Sequence, residues 1–256
     1  MSNPKAIFFD LDGTLLSMGK LTESAKEALR YAKEKGVLVF VATGRHRNEF
    51  ESMPWFPSVS FDGFVTMNGA YCYADDKVVF KSPIGKDAIR KVAKYLTNNP
   101  YYCMFCEAND IYANISDPSI ESKQLSIGLK IPAVRDPMKA IDADIFQLVF
   151  IGNGLHNHME QLPQCTITSW AEGCYDVVRA GINKWVGILP MLDRFGLKPQ
   201  DVAAVGDGQN DIEMLVGAGY SVAMGNGIDK VKECADYVTS HVDDGGSFMA
   251  VKYLLG

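Results

Sequence analysis

Apolar residues in this chain fall first into short unbroken runs. "KAIFFDL" (5–11), "VLVFVAT" (37–43) and "GFVTMN" (63–68) have strand length and the continuous hydrophobicity of strands covered on both faces. Between the first two, "LTESAKEALRYAKEKG" puts Ala25, Ala28, Leu29 and Ala32 on one helical stripe, with Thr22 as cap and Gly36 as stop. "HRNEFESM" predicts a short helix ended by Pro54. This alternation predicts a parallel, doubly wound sheet.

The pattern then changes. "YCYADDKVVF" (71–80) reads as a hairpin turning at Asp75 and Asp76. "DAIRKVAKYLTNN" predicts a helix with Ile89, Val92, Ala93 and Leu96 on one face. "YYCMFCEANDIYANI", "DIFQLVFIGN", "CTITSW" and "CYDVVRA" read as strands, so residues 82–179 predict an α+β unit with few helices. After it, "NKWVGILPMLDRFGL" returns to helical spacing, with a kink or break expected at Pro190. "DVAAVGD", "NDIEMLVGA", "YSVAMGN" and "VKECADYVT" restore the strand–helix alternation. The organisation expected is one α/β domain built from residues 1–81 and 180–256, with 82–179 inserted into it.

Composition narrows the class. Apolar residues make up 47% of the 256 and charged residues 22%, the balance of a globular protein large enough for a substantial core without disulfides. The net charge of −6 and the lack of a basic stripe argue against a nucleic-acid or anionic-membrane surface. No apolar run approaches a membrane span, and the N-terminus lacks a signal-peptide pattern, so a cytoplasmic location is expected. Cys103 and Cys106 form a C-x-x-C. It has no second ligand pair, and His46, His156, His158 and His241 show no ligand spacing to it, so reduced buried thiols are expected.

The candidate chemistry gathers at strand ends. Asp10 and Asp12 sit where the first predicted strand ends, and in open α/β sheets ligands bind at the carboxyl ends of strands. Two carboxylates there call for a cation or a proton, and hard oxygen ligands suit Mg²⁺. The alternative is a solvated turn; an EF-hand fails because Leu15 and Leu16 stand where oxygen ligands are needed. Thr43 and Gly44, in "VATGR", offer a hydroxyl and a free N–H that could hold a phosphate oxygen or simply cap a helix. Lys184, in "GINKWVG", falls in the first turn of a helix, against the dipole, unless an anion compensates it or it reaches into water. "VGDGQND" brings Asp207, Asn210 and Asp211 around a turn whose glycines let backbone approach a ligand. Neither G-x-G-x-x-G nor a P-loop motif is present. Together these give four carboxylates, a hydroxyl and an amine on one sheet edge, an inventory that fits a Mg²⁺ site beside a phosphate site.

"FFDLDGTLL", "VATGR", "NK" and "VGDGQND", in this order, resemble the four motifs of the haloacid dehalogenase superfamily. "NGA" at 68–70 and the C-terminal "YSVAMGNGIDKVKECADYVTSHVDDGGSFMAVKYLL" resemble its Cof-type (type IIB) sugar-phosphatase branch. The resemblance implies a Rossmann-like core with a C2B cap at 82–179 that closes over the site and touches the leaving group. It implies Asp10 as nucleophile, forming an aspartyl-phosphate, and Asp12 as general acid and then base. Thr43, Gly44, Lys184 and Asn210 would hold the phosphate. Asp10, the main-chain carbonyl of Asp12, and Asp207 would hold Mg²⁺, with Asp211 ordering its waters. Asp12 also separates this chain from the dehalogenase branch, which lacks a carboxylate there.

The expected activity is therefore a Mg²⁺-dependent phosphatase acting on a small phosphorylated metabolite, as a monomer or homodimer. A phosphomutase and a non-catalytic metabolite-binding module are the alternatives; the complete carboxylate set speaks against the module. In the insertion, Asp110, Asn114 and Arg179 are polar candidates for facing the cleft, against a reading as ordinary solvated surface.

Overall fold

The computed structural model describes residues 3–99, 101–152 and 164–256, so His156 and His158 lie outside the described residues. Its centre is an eight-stranded sheet in the order Tyr237–Val238, Tyr220–Ala223, Val202–Gly206, Ala6–Phe9, Leu38–Ala42, Gly63–Thr66, Tyr71–Ala74, Lys77–Lys81. The first six run parallel. The last two are the expected antiparallel hairpin, turning through Asp75 and Asp76 with φ of 50° and 55°. That pair of positive φ values is the signature of a tight turn matched to strand twist.

The unbroken apolar runs are explained by cover on both faces. Ile7, Phe9, Val39, Val41 and Val205 pack under the helices Glu23–Glu34 and Gly246–Leu255. Ala6, Phe8, Phe40 and Ala204 face the other way, against Ile188, Met191 and Leu192 of the helix Lys184–Phe195. Glu23–Glu34 buries Ala25, Ala28, Leu29 and Ala32, and the Thr22 hydroxyl accepts the Ala25 N–H.

A second, six-stranded sheet is drawn wholly from residues 102–179, in the order Ala133–Val134, Ile111–Ala113, Tyr102–Cys106, Gln147–Ile151, Cys174–Arg179, Cys165–Ala171. One face carries Cys103, Phe105, Leu148 and Val177 against Ile89, Val92 and Leu96 of the helix Lys86–Asn98. The other carries Met104, Cys106, Val149 and Val178 onto Met67, Ala70, Tyr71 and Tyr73 of the main sheet's end. Strand parity therefore sends Cys103 and Cys106 to opposite faces. Both are buried, and burial pushes both thiols well above their usual range, so they form no dithiol site. The 9-residue helix Pro118–Ser126 was absent from the strand-rich expectation because only Ile120 and Gln124 of it are buried, too few to make a stripe. Among the described residues, no helix is long and apolar enough to cross a membrane.

The break expected at Pro190 does not occur. Lys184–Phe195 is a single helix through it. Buried Ile188, Met191 and Leu192 flank the proline, so packing on the sheet outweighs the lost hydrogen bond. Replacing it tests this balance: Pro190→Ala restores a backbone donor and should raise stability by about 1–2 kcal/mol. The urea midpoint should rise with unchanged slope; a fall would mean the helix needs the proline's geometry.

Candidate active site

Parallel pairing brings five strand ends to one edge. Asp10 follows Ala6–Phe9, Thr43 follows Leu38–Ala42, Asn68 follows Gly63–Thr66, Asp207 follows Val202–Gly206, and Asn226 lies beyond Tyr220–Ala223. Carboxylate oxygens of Asp10, Asp207 and Asp211 lie within 4.8 Å of one another.

Lys184 organises this group. It opens its helix, after the Asn183 cap whose side chain accepts the Val186 N–H, and its side chain is 0% exposed. Its Nζ donates to Asp10 Oδ1 at 2.6 Å and Asp211 Oδ1 at 2.5 Å. Burial alone would push this lysine's pKa down; the two carboxylates reverse that and hold it above the usual lysine range. The unfavourable place against the helix dipole is thus compensated from within the chain. Asp211 Oδ2 accepts the N–H groups of Asp207 and Gly208, both at 2.8 Å, which locks the turn between them. Gly206 is required here, since a Cβ would lie 2.5 Å from Asp211 Cγ.

Asp207 accepts from the Thr14 hydroxyl at 3.0 Å, and Asn226 Nδ2 donates to the Gly13 carbonyl at 2.8 Å. Gly13 combines φ +79° with a Cβ position 2.3 Å from Asp207 Oδ2, so the turn after Asp12 admits only glycine without displacing the carboxylate. Burial, and after it Asp211, pushes Asp207 up to about 7. Burial also raises Asp10 well above the carboxylate range; Lys184 opposes this, while Asp211, Asp207 and Asp12 add to it. Three carboxylates face one ammonium, an excess of two negative charges when all are ionised. The all-oxygen donor set and that excess fit a hard divalent cation.

Asp12 stands apart from the cluster. Its side chain is half exposed and its two oxygens accept from Arg45 Nε and Nη2, each at 2.6 Å, a bidentate fork. Thr43 is buried, and its hydroxyl accepts the Arg45 N–H at 3.1 Å. Asn210 Nδ2 donates to Asn68 Oδ1 at 2.8 Å. Asn68 in turn meets two residues of the second sheet, Gln147 and Asp176, and Gln147 Nε2 donates to the Gly44 carbonyl at 2.9 Å. All eight residues singled out at strand ends therefore lie on this edge, bonded to one another or to shared neighbours. Arg45, Thr14, Asn68, Asn226, Gln147 and Asp176 were not singled out. Arg45 stands inside the quoted "VATGR" and Asn68 inside "NGA", and proximity to a strand end could have flagged both.

Two of the insertion's three polar candidates are otherwise engaged. Asp110 pairs with Arg135 and Lys139. Asn114 is buried, accepting the Cys103 N–H and donating to the Tyr101 carbonyl, so it joins two strands rather than meeting solvent. Arg179 is exposed at a strand end. A cavity of about 120 Å³ lies beside Lys184, and its lining includes Asn183, Asn210 and Glu213 together with Thr166, Ile167 and Thr168 of the second sheet.

Lys184→Met tests the electrostatics. It leaves two buried carboxylates without their cation and should destabilise the protein by about 3–5 kcal/mol in metal-free buffer, read from denaturant unfolding. Unchanged stability would contradict the role given to the ammonium.

Known proteins resemble this chain over nearly its whole length. The haloacid dehalogenase-like hydrolase family model matches residues 7–251. YkrA of Bacillus subtilis is 31% identical over 253 residues, covering 98% of this chain and 97% of the relative. Another B. subtilis relative, 5-amino-6-(5-phospho-D-ribitylamino)uracil phosphatase YcsE, is 28% identical over 94% of this chain and 92% of its own. Among solved structures, the subclass IIB sugar phosphatase BT4131 superposes with a TM-score of 0.89 at 32% identity, covering 97% of this chain and 98% of that one.

Proposed function

The chain belongs to the haloacid dehalogenase-like hydrolase family and is a phosphatase of that family, and on that premise we propose that it hydrolyses phosphate monoesters of small polyhydroxylated metabolites through an aspartyl-phosphate, with Mg²⁺ as cofactor. The observation that carries this reading is the buried Lys184 ammonium shared by Asp10 and Asp211 beside Asp207. Such a site tolerates an anionic nucleophile and an anionic phosphate together.

Asp10 is the nucleophile. A carboxylate oxygen forms a bond to phosphorus while the bond from phosphorus to the alkoxide breaks. Lys184 holds one Asp10 oxygen and neutralises charge as the two anions approach. Asp12, once one of its oxygens leaves the Arg45 fork and takes up a proton, delivers that proton to the departing oxygen. In the second step Asp12 takes a proton from the attacking water, and phosphate leaves as the Asp10–phosphorus bond breaks. The Arg45 fork keeps the Asp12 carboxylate from wandering, at a half-exposed position where a leaving group can reach it. Thr43, Gly44 and Asn210 hold the phosphoryl oxygens. Asp10, Asp207 and the Asp12 carbonyl would ligate Mg²⁺, with Asp211 behind them, and the ion would supply further charge neutralisation at the phosphoryl group.

Residues 82–179 would form the lid that excludes water and contacts the leaving group. The hydroxyl, amide and carboxylate groups in the cavity's lining, among them Thr166, Thr168, Asn210 and Glu213, suit a leaving group rich in hydroxyls. That chemistry is shared by the sugar and ribitylamino phosphates named for BT4131 and YcsE.

Two measurements test the mechanism. Asp10→Asn should abolish phosphate release from a panel of sugar and polyol phosphates while melting cooperatively; substantial remaining turnover would remove Asp10 as nucleophile. EDTA should silence the wild-type enzyme and added Mg²⁺ restore it. Full activity in EDTA would exclude the metal assignment.

A further inference from the structure

The turn Met67–Ala70 is built unlike its neighbours. Met67 and Asn68 both adopt positive φ, 50° and 52°, and neither is glycine. Such backbone costs free energy, so something must hold it. Two of its hydrogen bonds lead to residues assigned to phosphate binding. The Asn68 N–H donates to the Thr43 carbonyl at 3.0 Å. The Asn68 side-chain oxygen accepts Asn210 Nδ2 at 2.8 Å. Gly69 lies against the Asn183 carbonyl so closely that a Cβ would stand 2.1 Å from it, immediately before Lys184.

The second sheet grips the same residue. Asn68 Nδ2 donates to Gln147 Oε1 at 3.0 Å and to Asp176 Oδ2 at 2.8 Å. Both are core-facing positions on adjacent strands, and both are buried. Gln147 also donates to the Gly44 carbonyl, and the Trp170 indole donates to the other Asp176 oxygen at 3.2 Å. These bonds fix which way the Asn68 amide faces. Its nitrogen is committed to two acceptors from the second sheet, so its oxygen must point to Asn210. Without Gln147 and Asp176 the amide has no reason to hold that orientation, and Asn210 loses the acceptor that aims it.

We propose that Asn68 is a positioning residue through which seating of the 82–179 unit, by way of Gln147 and Asp176, sets the phosphate-binding geometry of Asn210 and the Thr43–Gly44 segment. It rests on the phosphate reading of those residues and extends it: the phosphate site is complete only while the second sheet is docked. Phosphate and docking then favour each other, because each stabilises the same amide orientation.

Asn68→Gly is the informative variant, since glycine adopts φ near +50° freely and only the side chain is removed. Gln147→Ala and Asp176→Ala remove the grip from the other side. Asn48→Ala is the control: it deletes a different hydrogen bond between the two units, Asn48 Nδ2 to the Asn109 carbonyl at 3.0 Å, which does not touch Asn68. The readout is the dissociation constant of inorganic phosphate, by titration calorimetry with Mg²⁺ present, on proteins verified by cooperative melting. Asn68→Gly and at least one of Gln147→Ala and Asp176→Ala should weaken phosphate about tenfold or more, an effect of the size of one lost hydrogen bond to a charged group, with Asn48→Ala unchanged. Phosphate affinity within twofold of wild type in Asn68→Gly, or in both variants from the second sheet, overturns the proposal. Equal weakening by Asn48→Ala also overturns it, since general loosening would then account for the effect. A wild-type protein that binds no phosphate overturns the phosphate reading itself, and this inference with it.

Discussion

An ammonium with no access to water, held between two carboxylates, is the constraint around which this molecule is arranged. Lys184 can occupy that position only because Asp10 and Asp211 arrive from other parts of the chain. The three side chains come from a strand end, a helix start and a turn, so each must be placed to within a hydrogen bond's tolerance before any is stable. Removing one would strand the others, which makes the charge cluster an all-or-none feature. The surrounding details follow. Gly206 gives Asp211 room, Gly13 gives Asp207 room, and Thr14 and Asn226 tie down the loop between them.

The same constraint leaves the cluster with more negative than positive charge. Asp10 and Asp207 are held above the ordinary carboxylate range mainly by burial, with neighbouring carboxylates adding to it. Asp12 lies at the edge of the group, where the Arg45 fork matches its charge one for one. The edge of the sheet is thereby divided in two. One part is short of positive charge and suits a divalent cation and an anionic substrate. The other is balanced and hydrogen-bonded, and holds a residue in place until one of its oxygens is freed to exchange a proton.

Most of the core was legible because it obeys short-range rules. Runs such as "VLVFVAT" have no polar interruption since both faces are covered, and the Ala25–Ala32 stripe states its own burial. Of the eight residues singled out, seven sit at strand ends or in the turn that follows one, where a parallel sheet must gather them, and Lys184 opens a helix at the same edge. What could not be read depends on contacts between distant segments. Gln147 and Asp176 look like any polar residue in an alternating strand; only the docking of the second sheet onto Asn68 gives them a role. The break expected at Pro190 fails to occur for the same reason, since local propensity says nothing of the apolar contacts on either side of it. Asn114 was read as surface because a side chain that joins two strands from within carries no periodic signal.

The pairing at the centre of the main sheet carries a consequence for how the chain is made. Ala6–Phe9 lies between Leu38–Ala42, which follows it closely, and Val202–Gly206, which is encoded almost 200 residues later. During synthesis the first strand can be joined on one side early. Its other side stays an open edge of apolar residues until Val202–Gly206 has left the ribosome. The intervening segment has sheet pairing and a core of its own, so it can collapse while the outer halves wait. The last steps of folding are then the closure of a long loop and the assembly of the charge cluster, in the same event.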